Sequence, residues 1–233
     1  MANKLKNWIL RKLGHVKVNP DYAHDALGAV VLNSEPDCPQ PFGYKTTWYT
    51  IKGETTQSVI DKLGLEIIGE SNWETGIEYT QCVGGVFVSP QLNGYVLVIN
   101  APSMKDAGDY EHTQVQEHGT LFDELQYFGS HRVSDYYAWI KFVNRKLIRA
   151  YCYADVELWV EGAITEEELQ LGFGKFPISR PGLDAMLESD DFSYDSFPDE
   201  ESVLSISKAW GLDTTFADSA FGKSTGYVCK FTG

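Results

Sequence analysis

From Thr46 onward, apolar and β-branched runs alternate with short polar breaks, and each run has a recognisable period. Thr46–Lys52, TTWYTIK, predicts a strand. Thr55 to Leu63 predicts a short helix, with Thr55 or Thr56 as its N-cap and Gly64 as its stop. GGVFVSP and GYVLVIN are β-rich, and QLNG between them has hairpin chemistry, so a hairpin is expected near 86–99. Thr120 to Leu125 reads as a helical turn leading into QYFGSHR. DYYAWIKFV and KLIRAYCY flank Asn144-Arg145, which predicts a second, tighter hairpin near 136–153. Asn tolerates a positive φ at the first turn position, and Arg suits the second less well. ELWVEG reads as a further strand, and Thr165 caps a helix or helical turn opened by Glu166, Glu167 and Glu168. Asp199 to Trp210 reads as a capped helix with Val203, Leu204, Ile206, Ala209 and Trp210 on its apolar stripe.

Before Thr46 the pattern differs. Leu5, Trp8, Ile9 and Leu13 have helical spacing with bases on the other face, giving an amphipathic helix that packs on the body or lies on an anionic membrane. Ser34–Phe42, SEPDCPQPF, holds three prolines and reads as a loop or extended crossing. The division expected is an N-terminal helix and Pro-containing segment over 1–45, then a main domain over 46–233. Strands outnumber helices, hairpins join them, and no internal repeat or regular strand–helix alternation is present. The fold class is therefore α+β, a single domain with a largely antiparallel sheet flanked by short helices. The six tryptophans sit mostly within periodic apolar segments and read as core rather than as a ligand cage.

Charge narrows the function classes. The chain carries 19 basic and 33 acidic residues, a net charge of −14. Five of the bases (Lys4, Lys6, Arg11, Lys12, Lys17) fall in the first seventeen residues, where no acid stands. Such a surface repels phosphate backbones, which argues against nucleic-acid binding and for a basic partner protein. No apolar run approaches the roughly 20 residues needed to cross a bilayer, and Arg11-Lys12 interrupts the one apolar stretch a signal peptide would use. Cys38, Cys82, Cys152 and Cys229 are widely spaced, with Cys82 and Cys152 in apolar, strand-like runs that point to buried thiols. A reduced, cytoplasmic protein is expected.

Candidate chemistry is sparse. Gly222-Lys223-Ser224-Thr225 resembles the end of a phosphate loop, but Ala217 stands where that motif requires glycine and too few residues follow for its helix. His112 and His118 lie six apart, a spacing that cannot share a metal on one helix face, so they read as surface histidines of a polar loop. His131 and Arg132, with Asp135 nearby, offer an acid/base and anion-holding cluster; alternatively Arg132 pairs with Asp135 or Glu124 and is structural. No cofactor or metal site is indicated. The most unusual stretch is Leu183–Ser207, with eight carboxylates, no Lys or Arg, and three aromatic rings. Rings exposed among acids cost free energy unless something covers them. Pro198 to Glu201, at its end, reads as helix cap and first turn. Asp190, Asp191, Phe192, Tyr194, Asp195 and Phe197 remain as a candidate partner surface.

The order of these blocks also carries a resemblance. TTWYTIKGETTQSVIDKLGL, NWETGIEYT, GGVFVSPQLNGYVLVIN, FDELQYFGSHRVSDYYAWIKFVNRKLIRAYCY, WVEGAITEEELQLGF and FPDEESVLSISKAWGLDTT together resemble a widespread bacterial family over roughly residues 46 to 233. That family carries a VFV-(S/T)P…GW-VLV hairpin, a QYF…HRV…Y-AW block and a late P-EE-V…A-W helix. This chain has Tyr95 where the family often has Trp, and lacks the usual Gly in the Asn144-Arg145 turn. The resemblance implies a cytoplasmic immunity protein that neutralises a cognate polymorphic toxin, without enzymatic activity of its own. The expected mechanism is capture of a basic toxin, with acids 188–201 steering it and Phe192, Tyr194 and Phe197 as apolar anchors. Two other readings compete. One is a hydrolase or transferase using His131, Arg132 and a carboxylate; the other is an acidic nucleic-acid mimic that blocks a nuclease or DNA-binding protein.

Overall fold

A computed structural model describes residues 30–103, 114–154, 157–189, 193–217 and 221–232. The N-terminal amphipathic helix expected over 3–13 lies outside the described residues. Nine strands form one sheet: β1 (Thr46–Lys52), β2 (Leu65–Ser71), β3 (Val86–Val88), β4 (Tyr95–Ile99), β5 (Glu124–His131), β6 (Tyr136–Val143), β7 (Lys146–Ala154), β8 (Glu157–Glu161) and β9 (Gly226–Phe231). Their spatial order is β2-β9-β3-β4-β1-β5-β6-β7-β8, and every pairing is antiparallel. The α+β, single-domain expectation holds, including both hairpins.

The turns explain the register. Asn93 and Gly94 both adopt positive φ between β3 and β4. Asn144 (φ 51°) and Arg145 (φ 64°) do so between β6 and β7, the primed geometry that matches strand twist. Arg145 is an awkward residue for that conformation, and its guanidinium is tied to Asp123 at 3.2 Å.

Alternation along the strands places two different apolar layers on the two faces of the sheet. One face gathers Tyr49, Ile51, Val96, Val98, Leu125, Tyr127, Ile140 and Cys152, and helix α1 (Thr56–Lys62) covers it with Val59 and Ile60. The other gathers Trp48, Phe87, Leu97, Phe128, Trp139, Tyr151 and Val228. It packs under α2 (Trp73–Cys82), α5 (Arg180–Glu188) and α6 (Glu200–Trp210), through Trp73, Ile77, Leu183, Val203, Ile206 and Trp210. The sheet is thus buried on both sides, which is why its central strands read as nearly continuous apolar runs. Trp48, Trp73, Trp139 and Trp210 are core, as expected.

Several local expectations need correction. Thr120–Leu125 is not a helical turn: the helix lies earlier, as α3 (Gln114–Gly119), and β5 has begun by Glu124. Of the strands, β2 and β9 give weak signals because exposed charged positions break their alternation. The helix α2 is anchored by a cap from Asn72, whose carboxamide accepts from Thr75 N–H at 3.0 Å. Asp37, in the proline-rich segment, also accepts from the N–H groups of Trp73 (2.7 Å) and Glu74 (3.0 Å), placing an anion at the positive helix end. Phe42 stands edge-on to Trp48, and the compact unit runs from Val31, so residues 31–45 belong to it rather than to a separate N-terminal segment. Cys82 ends α2 and is exposed, not buried in a strand; Cys152 is buried, as expected.

Helix α4 (Glu166–Gln170) carries the capping box its sequence announces: Thr165 Oγ1 accepts from Glu168 N–H, and the Glu168 carboxylate accepts from Thr165 N–H. That carboxylate continues inward. It accepts from Trp139 Nε1 at 2.9 Å and from Arg149, and Arg149 and Glu168 are only 2% and 0% exposed. Arg149 also donates to the carbonyls of Glu161 (3.4 Å) and Gly162 (3.3 Å), so the buried ion pair has partners for both its charges. At Gly162 (φ +74°) a Cβ would stand 2.0 Å from the Ile148 carbonyl, so only glycine lets β8 leave the sheet beside Arg149.

Candidate functional site

The acidic, aromatic stretch resolves into parts with different roles. Its start is α5, where Arg180-Pro181 opens the helix under a Ser179 cap and Leu183 is fully buried. Pro181 and Gly182 look like breakers in sequence, yet Pro is well suited to a first helical turn. Its end is α6, capped by Asp199, whose carboxylate accepts from Ser202 N–H at 2.8 Å, with Glu200 and Glu201 in the first turn.

Of the six residues nominated as a partner surface, Asp190, Asp191 and Phe192 lie outside the described residues, as does the side chain of Tyr194. Asp195 is exposed on a 3₁₀ turn, Tyr194–Ser196. Phe197 is a packing residue: it is half-buried against the apolar layer, its ring 5.6 Å from Tyr153. Only its remaining exposed part is open to a partner.

A different ring occupies the exposed position. Tyr44, in the loop before β1, is 44% exposed, and its hydroxyl donates to Glu201 at 3.0 Å. That hydrogen bond and the Glu201 charge raise its pKa. The loop is pinned beneath it, because Ser130 Oγ donates to the Tyr44 carbonyl at 2.7 Å and Gln81 Nε2 to the Phe42 carbonyl at 3.3 Å. Glu200 adds a second, weaker charge effect on the same hydroxyl. Asp135, Asp199 and Glu200 all act electrostatically on Tyr137, which is pushed above its ordinary pKa first by burial and then by those charges. Nothing in the local sequence around Tyr44 distinguishes it; the partner glutamate lies 157 residues away.

Tyr44 also stands between two concavities. The larger, about 500 Å³, is walled by Phe42, Thr46, Thr80 and Asn100, with Lys45 and Arg132 at its rim. The smaller, about 200 Å³, lies toward Leu204, Thr214 and Thr215.

The histidines part company with the expectations. His112 lies outside the described residues. His118 is not on the surface: it is 8% exposed, stacks on Phe231 (5.4 Å, 9°), and its Nδ1 lies 2.9 Å from the Tyr49 hydroxyl. Burial lowers its pKa. His131 Nδ1 meets Ser134 Oγ at 3.0 Å, whereas Arg132 reaches Glu200 at 3.7 Å and lines the larger cleft. Neither Asp135 nor Glu124 is the partner of Arg132; Glu124 pairs with Lys52 at 3.4 Å. His131 and Arg132 therefore answer to different groups.

Gly222 to Thr225 is no phosphate loop either, since Ser224 N–H donates to the Asp37 carbonyl and Ser224 Oγ accepts from Trp73 Nε1 at 3.1 Å. Among the described residues no three His, Cys, Asp or Glu side chains gather to hold a metal ion, and no helix is long and apolar enough to cross a membrane. Comparison with known protein families, with curated proteins and with solved structures returns no match to this chain.

Proposed function

We propose that this chain is an immunity-type binding protein, which captures a basic toxin on the acidic face around Tyr44 and neutralises it without turning over a substrate. The observation that carries the reading is the Tyr44 ring, exposed, fixed by Glu201 and lying in the field of both Glu201 and Glu200. A rigid, amphipathic tyrosine set among like charges is a favourable hot spot: its ring offers contact area at little entropic cost, and the acids steer a cationic partner toward it. The clefts on either side of Tyr44 give a partner relief to grip. The resemblance of the sequence blocks to immunity proteins points the same way, and the −14 net charge favours a basic partner over nucleic acid. A cytoplasmic location belongs to the same reading.

The test is co-expression with the product of the neighbouring gene, with growth rescue and co-purification as readouts. Wild type is expected to rescue and co-purify. Tyr44→Ala is expected to weaken the complex at least tenfold at unchanged melting temperature, and Asp195→Lys to slow association and flatten its salt dependence. Failure of the wild-type chain to bind or rescue would refute the reading. Tight binding by Tyr44→Ala would move the interface elsewhere.

A further inference from the structure

The larger cleft has a chemistry opposite to that of the molecule around it. In a chain with 14 more acids than bases, none of its lining residues is an acid and two, Lys45 and Arg132, are cations. Lys45 has no ion-pair partner among the described residues. Arg132 has Glu200, but at 3.7 Å from its Nε, too long for a hydrogen bond, which leaves the guanidinium fork able to donate. Glu200 and Glu201 stand nearby, the latter on the Tyr44 hydroxyl, but neither lines the cleft, so the charged side chains within it are the two cations alone.

The remaining wall is already committed elsewhere and is therefore rigid. Asn100, held at φ 65°, spends its amide on the carbonyls of Gly85 (2.7 Å) and Thr80 (3.4 Å), and Gln81 spends its own on Phe42. Phe42, packed on Trp48, gives the cleft an apolar floor. Two cations at the rim of a fixed, partly aromatic cleft are what a carboxylate on an apolar stem requires. A doubly charged phosphate matches less well, because Glu200 and Glu201 stand close and repel the second charge more than the first.

We propose that this cleft is a carboxylate-binding site, in which Arg132 and Lys45 hold the carboxylate and Phe42 and Tyr44 cover the stem. The carboxylate comes either from a small organic acid or from the end of a peptide chain; the chemistry of recognition is the same. The inference shares Tyr44 and the cleft wall with the proposed toxin surface but does not depend on toxin capture, since a carboxylate would bind there with no toxin present.

The experiment is a titration of the isotope-labelled full chain, followed by amide chemical shifts at constant ionic strength. The probes are benzoate, with benzyl alcohol as its uncharged counterpart, and Gly-Gly-Phe, with its C-terminal amide as counterpart. Benzoate or the free-acid peptide is expected to shift residues 42–46, 80–81, 100 and 132, and to bind at least tenfold tighter than its uncharged counterpart. A response to benzoate alone assigns a small-molecule source, and a response to the peptide alone assigns a chain end. Lys45→Ala and Arg132→Gln change exposed side chains and are expected to melt like wild type while losing the response; should either unfold, Arg132→Lys is expected to keep part of it. Equal binding of charged and uncharged probes, shifts scattered away from the cleft, or no shifts with either acid would overturn the site.

Discussion

The carboxylate of Glu168 meets the guanidinium of Arg149 at 2.8 Å with both side chains out of reach of water, where the sheet turns into α4. Burial alone would raise the Glu168 pKa, but hydrogen bonds from Arg149, Thr165 N–H and Trp139 outweigh it and hold the carboxylate below its usual range. Glu168→Ala strands the Arg149 charge, and a loss of about 3–5 kcal/mol in urea unfolding is expected. Because the folded pKa lies below the unfolded one, the contribution is complete above about pH 4.3 and fades as pH falls through the folded value. Glu168→Gln is therefore expected to flatten the acid limb of stability below about pH 4; an unchanged limb would show that other carboxylates set it.

His118 titrates in the opposite chemical sense but weakens the fold on the same side. Its buried ring favours the neutral form, so the folded pKa lies below the unfolded value of about 6.5. The unfolded chain binds the extra proton first, and stability present above about pH 6.5 falls as the solution is acidified through the folded value. His118→Gln is expected to reduce the loss of melting temperature between pH 7 and pH 5. Tyr49→Phe removes the hydroxyl facing Nδ1 and is expected to cost about 1 kcal/mol at pH 7.

The four thiols divide in two. Cys38 and Cys82 are exposed, whereas burial pushes the Cys152 thiol well above its usual pKa and that of Cys229 up to about 11. An aromatic disulfide reagent is expected to modify Cys38 and Cys82 quickly in the native protein, and all four only after denaturation. Fast modification of Cys152 would contradict its place in the sheet.

Where α2 crosses the sheet, a Cβ at Gly76 would fall 2.4 Å from the ring of Phe87, which is fully buried. Gly76→Ala gains helix propensity at that position but overpacks the contact, and a net loss of about 1–3 kcal/mol is expected by chemical denaturation. Stabilisation instead would mean that the Phe87 ring moves freely.

Phe197 and Tyr44 separate core from surface. Phe197→Ala uncovers part of the apolar layer beside Tyr153 and is expected to cost about 1–2 kcal/mol of stability. Tyr44→Ala is expected to leave the melting temperature within one degree or so, as a surface substitution should. The reverse pattern would restore Phe197 as the exposed anchor.

Much of the sheet was legible because period-2 runs and Asn-led turns are local signals. β1, the two hairpins, the Thr165 box and the Asp199 cap needed only a few neighbouring residues each. What failed was set by distant partners. His118 sits in a polar sequence yet is buried, because Tyr49 and Phe231 come to it from across the fold. Phe197 reads as exposed among acids until Tyr153 covers it, and Tyr44 gains its meaning only from Glu201. β2 was missed because edge exposure and a bulge at Ile67/Gly69 erase its alternation, and β9 because its partners β2 and β3 lie far away in sequence.

The place of β9 between β2 and β3 makes one flank of the sheet hostage to a late piece of chain. β2 hydrogen-bonds to β9 and to no other named strand, and Val86 of β3 finds Cys229 across some 140 residues of intervening sequence. A shortened chain that stops before Gly226 would leave two open strand edges at once, the arrangement that recruits edges from other molecules. During folding the same two edges stay open until β9 pairs with both, and non-local pairings of this kind are slow to form and leave edges exposed to aggregation.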